Sequence, residues 1–435
     1  MWFALLCLPG CVSFAQREAV RVTVDTRSTY QVMEGFGSSV RVWDDPHVAN
    51  QPKSVIGEQA RSAILKKLYS ELRLTRARFV YDGGIEVTND NDDPFTFNPK
   101  GFNFAWKRND AFVEYAQAAS VHGPIVFFPS PLRPEPWMHE NNPDEYVEWV
   151  LAILLRWKAL GTELPYFSIL NEPSYVRSGI WSPAWMTAVS RSLGKRMQAE
   201  GLKTRLVLPD DLNACVALPI AEAVLRDAEA RRYVGALAFH TYDGTAECID
   251  HLQALARRHD LPLWMTEHSH GADYPGAFAW GKEIHELITR HNVSAVDHMW
   301  GFFGDWEEEP AALIALSFRG IRQTDMQLLP SYFVTGHYSR FVYPGDVRVR
   351  ADSSLGDLLV SAYRGPGRLS VVLINDSAAP RVITLELKGA AAPHRFDALL
   401  TDAGTSWAPL APTSVGGAVT LHMPPRSLVT LSGVE

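Results

Sequence analysis

Tyr166-Phe-Ser-Ile-Leu-Asn-Glu-Pro173 and Leu261-Pro-Leu-Trp-Met-Thr-Glu267 each run through a short apolar segment into a bare glutamate. Burying a carboxylate is costly, so buried strands do not ordinarily close on one. Glu172 and Glu267 lie roughly 95 residues apart, with alternating helix and strand signals between them. In an α/β barrel the C-terminal ends of the strands converge on one mouth, where such groups meet.

The flanking sequence supplies the remaining strands. Val32–Ser39, Leu74–Val80 and Pro124–Pro129 precede Tyr166–Leu170. Arg205–Pro209, Gly235–Tyr242, Leu263–Thr266 and Ser294–Trp300 surround or follow the second glutamate's segment. Helical periodicity fills the intervals 55–69, 108–121, 143–160, 183–201, 218–232, 245–259 and 278–291. Eight short apolar strands alternating with helices predict an α/β fold, a (β/α)8 TIM barrel spanning 31–345. Beyond it, Val347–Arg350, Leu358–Tyr363, Leu369–Ile374, Arg381–Leu387 and Ser427–Leu431 are separated by Gly, Pro, Asn and Asp. That pattern predicts a β-sandwich over 346–435. Residues 18–25 alternate like a strand but have no place in the barrel count, so the 16–30 segment is expected to complete the β domain.

The 435 residues suit one barrel and a smaller domain. A net charge of −8 with no basic run argues against a nucleic-acid partner. No segment after the N-terminus is long and apolar enough for a membrane span. Met1–Ala15 is apolar and ends in small residues, which reads as a signal peptide of a secreted or periplasmic protein, although a basic n-region is missing. Removing it leaves Cys215 and Cys248, compatible with one disulfide or with two free thiols.

Two carboxylates across a barrel mouth are the equipment for cleaving a glycosidic bond. One protonates the leaving oxygen and the other attacks the anomeric carbon. The donor must hold its proton near neutral pH, through partial burial or a neighbouring charge. Asn171 offers an amide to a sugar hydroxyl, and Pro173 constrains the turn leaving the strand. Arg76 and Arg78 close the second strand, and an arginine beside the nucleophile would hold it ionised. One of the two is expected to point away from the mouth. His240 and Tyr242 share a face at the end of the sixth strand, within expected reach of Glu267. Trp300, ending the eighth strand, and Trp137, in the loop after the third, are candidates to stack on a sugar. His268 and His270 have no third ligand at a suggestive spacing, so no metal is expected. Nucleophile-elbow, phosphate-loop and dinucleotide motifs are absent, and Gly35-Phe-Gly37 opens no helix.

Glu34-Gly-Phe-Gly-Ser-Ser39, Ile169-Leu-Asn-Glu-Pro173, Trp264-Met-Thr-Glu267 and the run Tyr332–Gly345 resemble glycoside hydrolase family 30, the glucosylceramidase and endo-xylanase family. Pro131–Met138 resembles its proline- and tryptophan-bearing loop. The resemblance implies a retaining β-glycosidase with Glu172 as acid/base and Glu267 as nucleophile, acting on a carbohydrate without cofactor or metal. It also implies Arg76 rather than Arg78 as the arginine of the second strand, and a sugar site lined by His240, Tyr242 and Trp300. Val40–His47 and Pro-Leu-Arg-Pro-Glu-Pro-Trp137 depart from the family pattern, which bears on the sugar accepted rather than the reaction. Alternatives are another hydrolase or a transglycosylase of the same clan, or a carbohydrate-binding barrel without catalysis.

Overall fold

A computed structural model describes residues 19–41, 43, 56–81, 83–104, 107–139, 141–175, 181–304, 312–320, 322–389, 393, 395–415 and 418–434. The leader and most of Val40–His47 lie outside this set. Eight parallel strands form the barrel: β2 (Gly35–Val40), β3 (Arg76–Tyr81), β4 (Val126–Pro131), β5 (Tyr166–Ser168), β6 (Arg205–Asp211), β7 (Val234–His240), β8 (Leu263–Glu267) and β9 (Ala295–His298). Their order is β4-β3-β2-β9-β8-β7-β6-β5. The seam between β4 and β5 is bridged at the mouth, where Asn171 N–H donates to Pro131 O at 2.7 Å. Half of these strands, β2, β3, β8 and β9, are buried along their whole length, as expected where helices cover the outer face and side chains fill the interior.

The covering helices carry the expected end signals. The helix Pro143–Ala159 has proline in its first turn, Asp144 and Glu145 beside it, and Arg156 and Lys158 in its last turn. The Asn213 side chain accepts from the N–H groups of Cys215 and Val216, capping Ala214–Arg226.

Two elements differ from the sequence reading. The expected eighth strand splits at Met299: β9 stays in the barrel, whereas β10 (Trp300–Gly304) pairs with β11 (Ala312–Arg319). The sequence reading left the hairpin of β11 and β12 (Arg322–Leu328) unassigned. It forms a three-stranded sheet with β10.

Beyond the barrel, β13 (Val347–Ser353) to β21 (Ser427–Val434) join β1 (Val20–Val32) in one continuous ten-stranded sheet. The sheet folds over itself. Ile383 and Leu385, near one edge, share a core with Phe396 and Ala398, near the other. β1 lies inside the sheet, antiparallel to β13 and parallel to Arg381–Lys388.

The helix Pro330–Ser339 docks this sheet on the barrel. Trp407 Nε1 donates to Phe333 O at 2.8 Å, and His337 Nδ1 lies 2.9 Å from Thr430 Oγ1. The Trp407 ring crosses Gly336 so closely that a Cβ there would sit 2.1 Å from a ring carbon. Gly336→Ala must therefore push the indole off the helix. Overpacking of this kind costs roughly 1–3 kcal/mol, and a calorimetric melt should show the loss.

Outside the mouth, the loop 83–104 presses Glu86 and Asp90 towards Glu145 and Glu148 of the 143–159 helix. Glu86 and Glu148 are almost wholly buried. Glu86 Oε2, Asp90 Oδ1, Glu145 Oε2 and both Glu148 oxygens have no hydrogen-bond partner. Burial and the neighbouring acids push Glu86 up to about 8 and Glu148 to about 7. Unfolded glutamates titrate near ~4.3, so the folded chain binds more protons and loses stability as pH rises from there towards 8. The melting temperature should be lower at pH 8 than at pH 5. Glu148→Gln should flatten that slope.

Candidate active site

Arg76 and Arg78 are two residues apart on β3, so both point into the barrel, at different depths. Neither turns away from the interior, contrary to the expectation from sequence. At the deeper level, Arg76 Nε and Nη2 donate to the two oxygens of Asp297, each at 2.9 Å. The guanidinium lies 4.0 Å from the centre of the Trp264 ring, and that indole donates to Glu34 at 2.7 Å. A Cβ on Gly37 would come within 2.3 Å of Asp297 Oδ1 and 2.5 Å of Arg76 Cβ. The glycine of Gly35-Phe-Gly37 is thus what lets this buried ion pair sit against β2.

One level higher, Arg78 occupies the centre of the mouth. Its Nη1 donates to Glu267 Oε2 at 2.7 Å and to Ser39 Oγ at 3.1 Å. Its Nη2 donates to Ser130 Oγ and Asp210 Oδ2, both at 3.1 Å, and to Asn171 Oδ1. Arg78, not Arg76, is therefore the arginine in contact with Glu267. Motif matching could not separate two arginines on the same face. Their depth in the barrel does.

Asp210, at the end of β6, was not singled out from sequence. It accepts from Ser130 at 2.5 Å, Ser168 at 2.7 Å and Thr266 at 2.5 Å, and its Oδ1 lies 3.3 Å from His240 Nε2. Burial alone would raise its carboxyl, but Arg78 and His240 hold it well below the usual carboxylate range. The signal that could have found it is an acid at the end of an apolar strand, the same signal that singled out the two glutamates.

His240 contacts Glu172 rather than Glu267. Its Nδ1 lies 3.0 Å from Glu172 Oε1. Burial pulls the imidazole down, but the charge of Glu267 and the hydrogen bonds to Asp210 and Glu172 raise it to about 9. His240 thus bridges two acids, Glu172 and Asp210. Tyr242 OH donates to Glu267 Oε1 at 3.2 Å. Glu172 and Glu267 remain partly open, with 13% and 11% of their side chains exposed. Glu172 and Asp210 both have positive φ, 46° and 58°. Such backbone is strained for residues other than glycine, and it turns both acids at the points where their strands end.

One oxygen of Glu172, one of Glu267 and a ring nitrogen of His240 lie within 4.8 Å of one another.

The two tryptophans are less directly placed. Trp300 sits in a small apolar cluster with Val80, Phe303, Ala312, Ala315 and Leu329. Arg41 lies over its ring at 5.2 Å, and its Nε1 has no protein partner. It opens β10 rather than ending a barrel strand. Trp137 donates to Glu86 O at 2.8 Å and is half-buried against the loop 83–104. Neither makes a direct contact with the two glutamates.

Glu283 of the helix Tyr274–Thr289 meets both His268 and His270, completing a cluster that sequence spacing did not reveal. Cys215 and Cys248 form a disulfide.

The barrel, its ten-stranded sheet and the facing glutamates are the features that the comparisons with known proteins address. No family model matches the chain. Two Caenorhabditis elegans proteins, "Putative glucosylceramidase 1" and "Putative glucosylceramidase 2", are each 23% identical to it. They align over 82% and 85% of this chain and 76% and 79% of their own lengths. The endoxylanase of Clostridium papyrosolvens C71 shares the fold at a TM-score of 0.77 and 22% identity, covering 95% of this chain and 100% of its own. The chain shares the fold of this glycoside hydrolase family 30 enzyme.

The two arginines should separate cleanly. Arg78→Lys keeps a charge but loses the planar fork, and is expected to lower turnover about 100-fold or more at unchanged fold. Arg76→Gln strands Asp297 and should cost about 3–5 kcal/mol of stability. Steady-state kinetics and urea melts on both variants distinguish the effects.

Proposed function

We propose that Glu267 is the nucleophile and Glu172 the acid/base of a double displacement on a β-linked glycoside. The contact of Glu267 with the Arg78 guanidinium carries the assignment. A charge-assisted bond at 2.7 Å favours the anion and aims it, and Tyr242 holds the second oxygen. Glu172 faces it from the end of β5, with no arginine partner among the described residues.

In the first step Glu267 attacks the anomeric carbon while Glu172 gives its proton to the departing oxygen. In the second, Glu172 takes a proton from water, and that water releases the sugar from Glu267. Asn171, anchored by Arg78, is positioned to bond the hydroxyl beside the reacting carbon. His240 holds Glu172 in place, while Trp300 and Trp137 serve as sugar-facing aromatics at the edge of the cleft. The barrel spans 31–345, and the sheet formed by 16–30 and 346–435 acts as a fixed support. The apolar leader and the Cys215–Cys248 disulfide support export to an oxidising compartment. No helix of the described residues is long and apolar enough to cross a membrane.

The related proteins are named for different sugars: glucosylceramide, xylan and, at a TM-score of 0.74, a β-1,6-glucan. A panel of aryl β-glucoside, xyloside, galactoside and fucoside, with xylan and β-1,6-glucan, identifies the substrate. On that substrate, Glu267→Gln should abolish hydrolysis. Glu172→Gln should slow it by roughly 10²–10⁴, and far less for aryl leaving groups that depart without a proton. Proton NMR should show the β-anomer released first. Near-normal turnover by Glu267→Gln would overturn the assignment.

A further inference from the structure

His268 and His270 follow the strand that ends at Glu267, two residues apart. Glu283 reaches them from the third turn of the helix Tyr274–Thr289. His268 Nδ1 lies 2.7 Å from Glu283 Oε2, and His270 Nε2 lies 2.8 Å from the same oxygen. Two imidazole nitrogens and a carboxylate oxygen thus converge, all within 4.8 Å of one another. The two rings stand at 70° with centroids 4.9 Å apart, so neither stacks over the other's nitrogen.

We propose that His268, His270 and Glu283 form a binding site for a borderline divalent transition-metal ion of the Zn²⁺, Ni²⁺ or Cu²⁺ type. This inference is independent of the glycosidase reading. The donor set selects the ion. Two neutral imidazoles and one carboxylate suit these metals, whereas Ca²⁺ and Mg²⁺ take oxygen ligands.

The spacing suits it as well. Zinc sits about 2.0–2.2 Å from each nitrogen or oxygen, which puts tetrahedral ligands about 3.3 Å apart. Each nitrogen would have to draw back about half an ångström from the shared Glu283 oxygen. Thr241 Oγ1 donates to Glu283 Oε1 at 2.5 Å, fixing the carboxylate from behind and leaving Oε2 for the ion. His270 keeps 32% of its side chain exposed, and His268 and Glu283 keep 16% and 17%. An ion can therefore enter, and its fourth position can face solvent. The two cysteines among the described residues, Cys215 and Cys248, are bonded to each other and do not compete.

The site would also touch the reaction centre. His268 is the chain neighbour of Glu267, and its ring packs edge-on against Tyr242 at 5.1 Å. A bound dication fixes the ring that Tyr242 leans on.

Calorimetric titration of ZnCl2 into the chelator-treated full chain tests this. One saturable equivalent is expected, with a melting temperature that rises as zinc is added. Glu283→Gln and His270→Ala should each weaken binding at least tenfold, and Thr241→Val should weaken it about tenfold. Melts of the metal-free variants check that each still folds. Cu²⁺ electron paramagnetic resonance provides a second readout: nitrogen hyperfine structure is expected in the wild type and should be reduced in His270→Ala. Absence of saturable binding by the wild type would overturn the proposal. So would affinity unchanged in both Glu283→Gln and His270→Ala.

Discussion

The active-site architecture hangs on one buried ion pair, Arg78 with Asp210. Both side chains are fully buried. Neither charge could remain there unpaired, because desolvating an ion without a partner costs several kcal/mol. Three hydroxyls and an imidazole satisfy Asp210. Arg78 spends its remaining donors on Glu267, Ser39 and Asn171. Residues from β2, β3, β4, β6, β7 and β8, with the segment leaving β5, are thereby tied to one centre. The polar groups that do chemistry are positioned by the same bonds that make the barrel's upper interior tolerable to fold.

The barrel was legible in sequence because its strands are buried on both faces and read as apolar runs between helices. The acid pair was legible for a related reason: a carboxylate at the end of such a run conflicts with burial unless it has a task. The choice between Arg76 and Arg78 was not legible. Both lie on the inward face, and only the three-dimensional stacking of interior levels gives one to Asp297 and the other to Glu267. Glu283 was invisible for another reason. It sits on a helix 13 residues beyond His270, and only the return of that helix over the end of β8 brings it back. The split at Met299 also escaped, because the apolar run continues straight through it into a strand that leaves the barrel.

The two interior levels divide the labour. The deeper one, with Arg76, Asp297, Trp264 and Glu34, is held by its own ion pair and ring contact. The upper one holds the two glutamates proposed to react. An ion pair in each level lets polar groups reach the axis of the barrel without stranding a charge, and Gly37 leaves room for the lower pair.

The placement of β1 bears on how the molecule is made. This strand precedes the whole barrel in the sequence, yet it lies inside the ten-stranded sheet, bonded on one side to Val347–Ser353 and on the other to Arg381–Lys388. Its partners therefore emerge only when most of the chain exists. Until then its alternating valines, Val20, Val22 and Val24, have no core to enter. Such long-range pairing is slow and leaves hydrophobic edges open to aggregation. The ten-stranded sheet therefore closes only when β1 meets partners that lie beyond the whole barrel in the sequence.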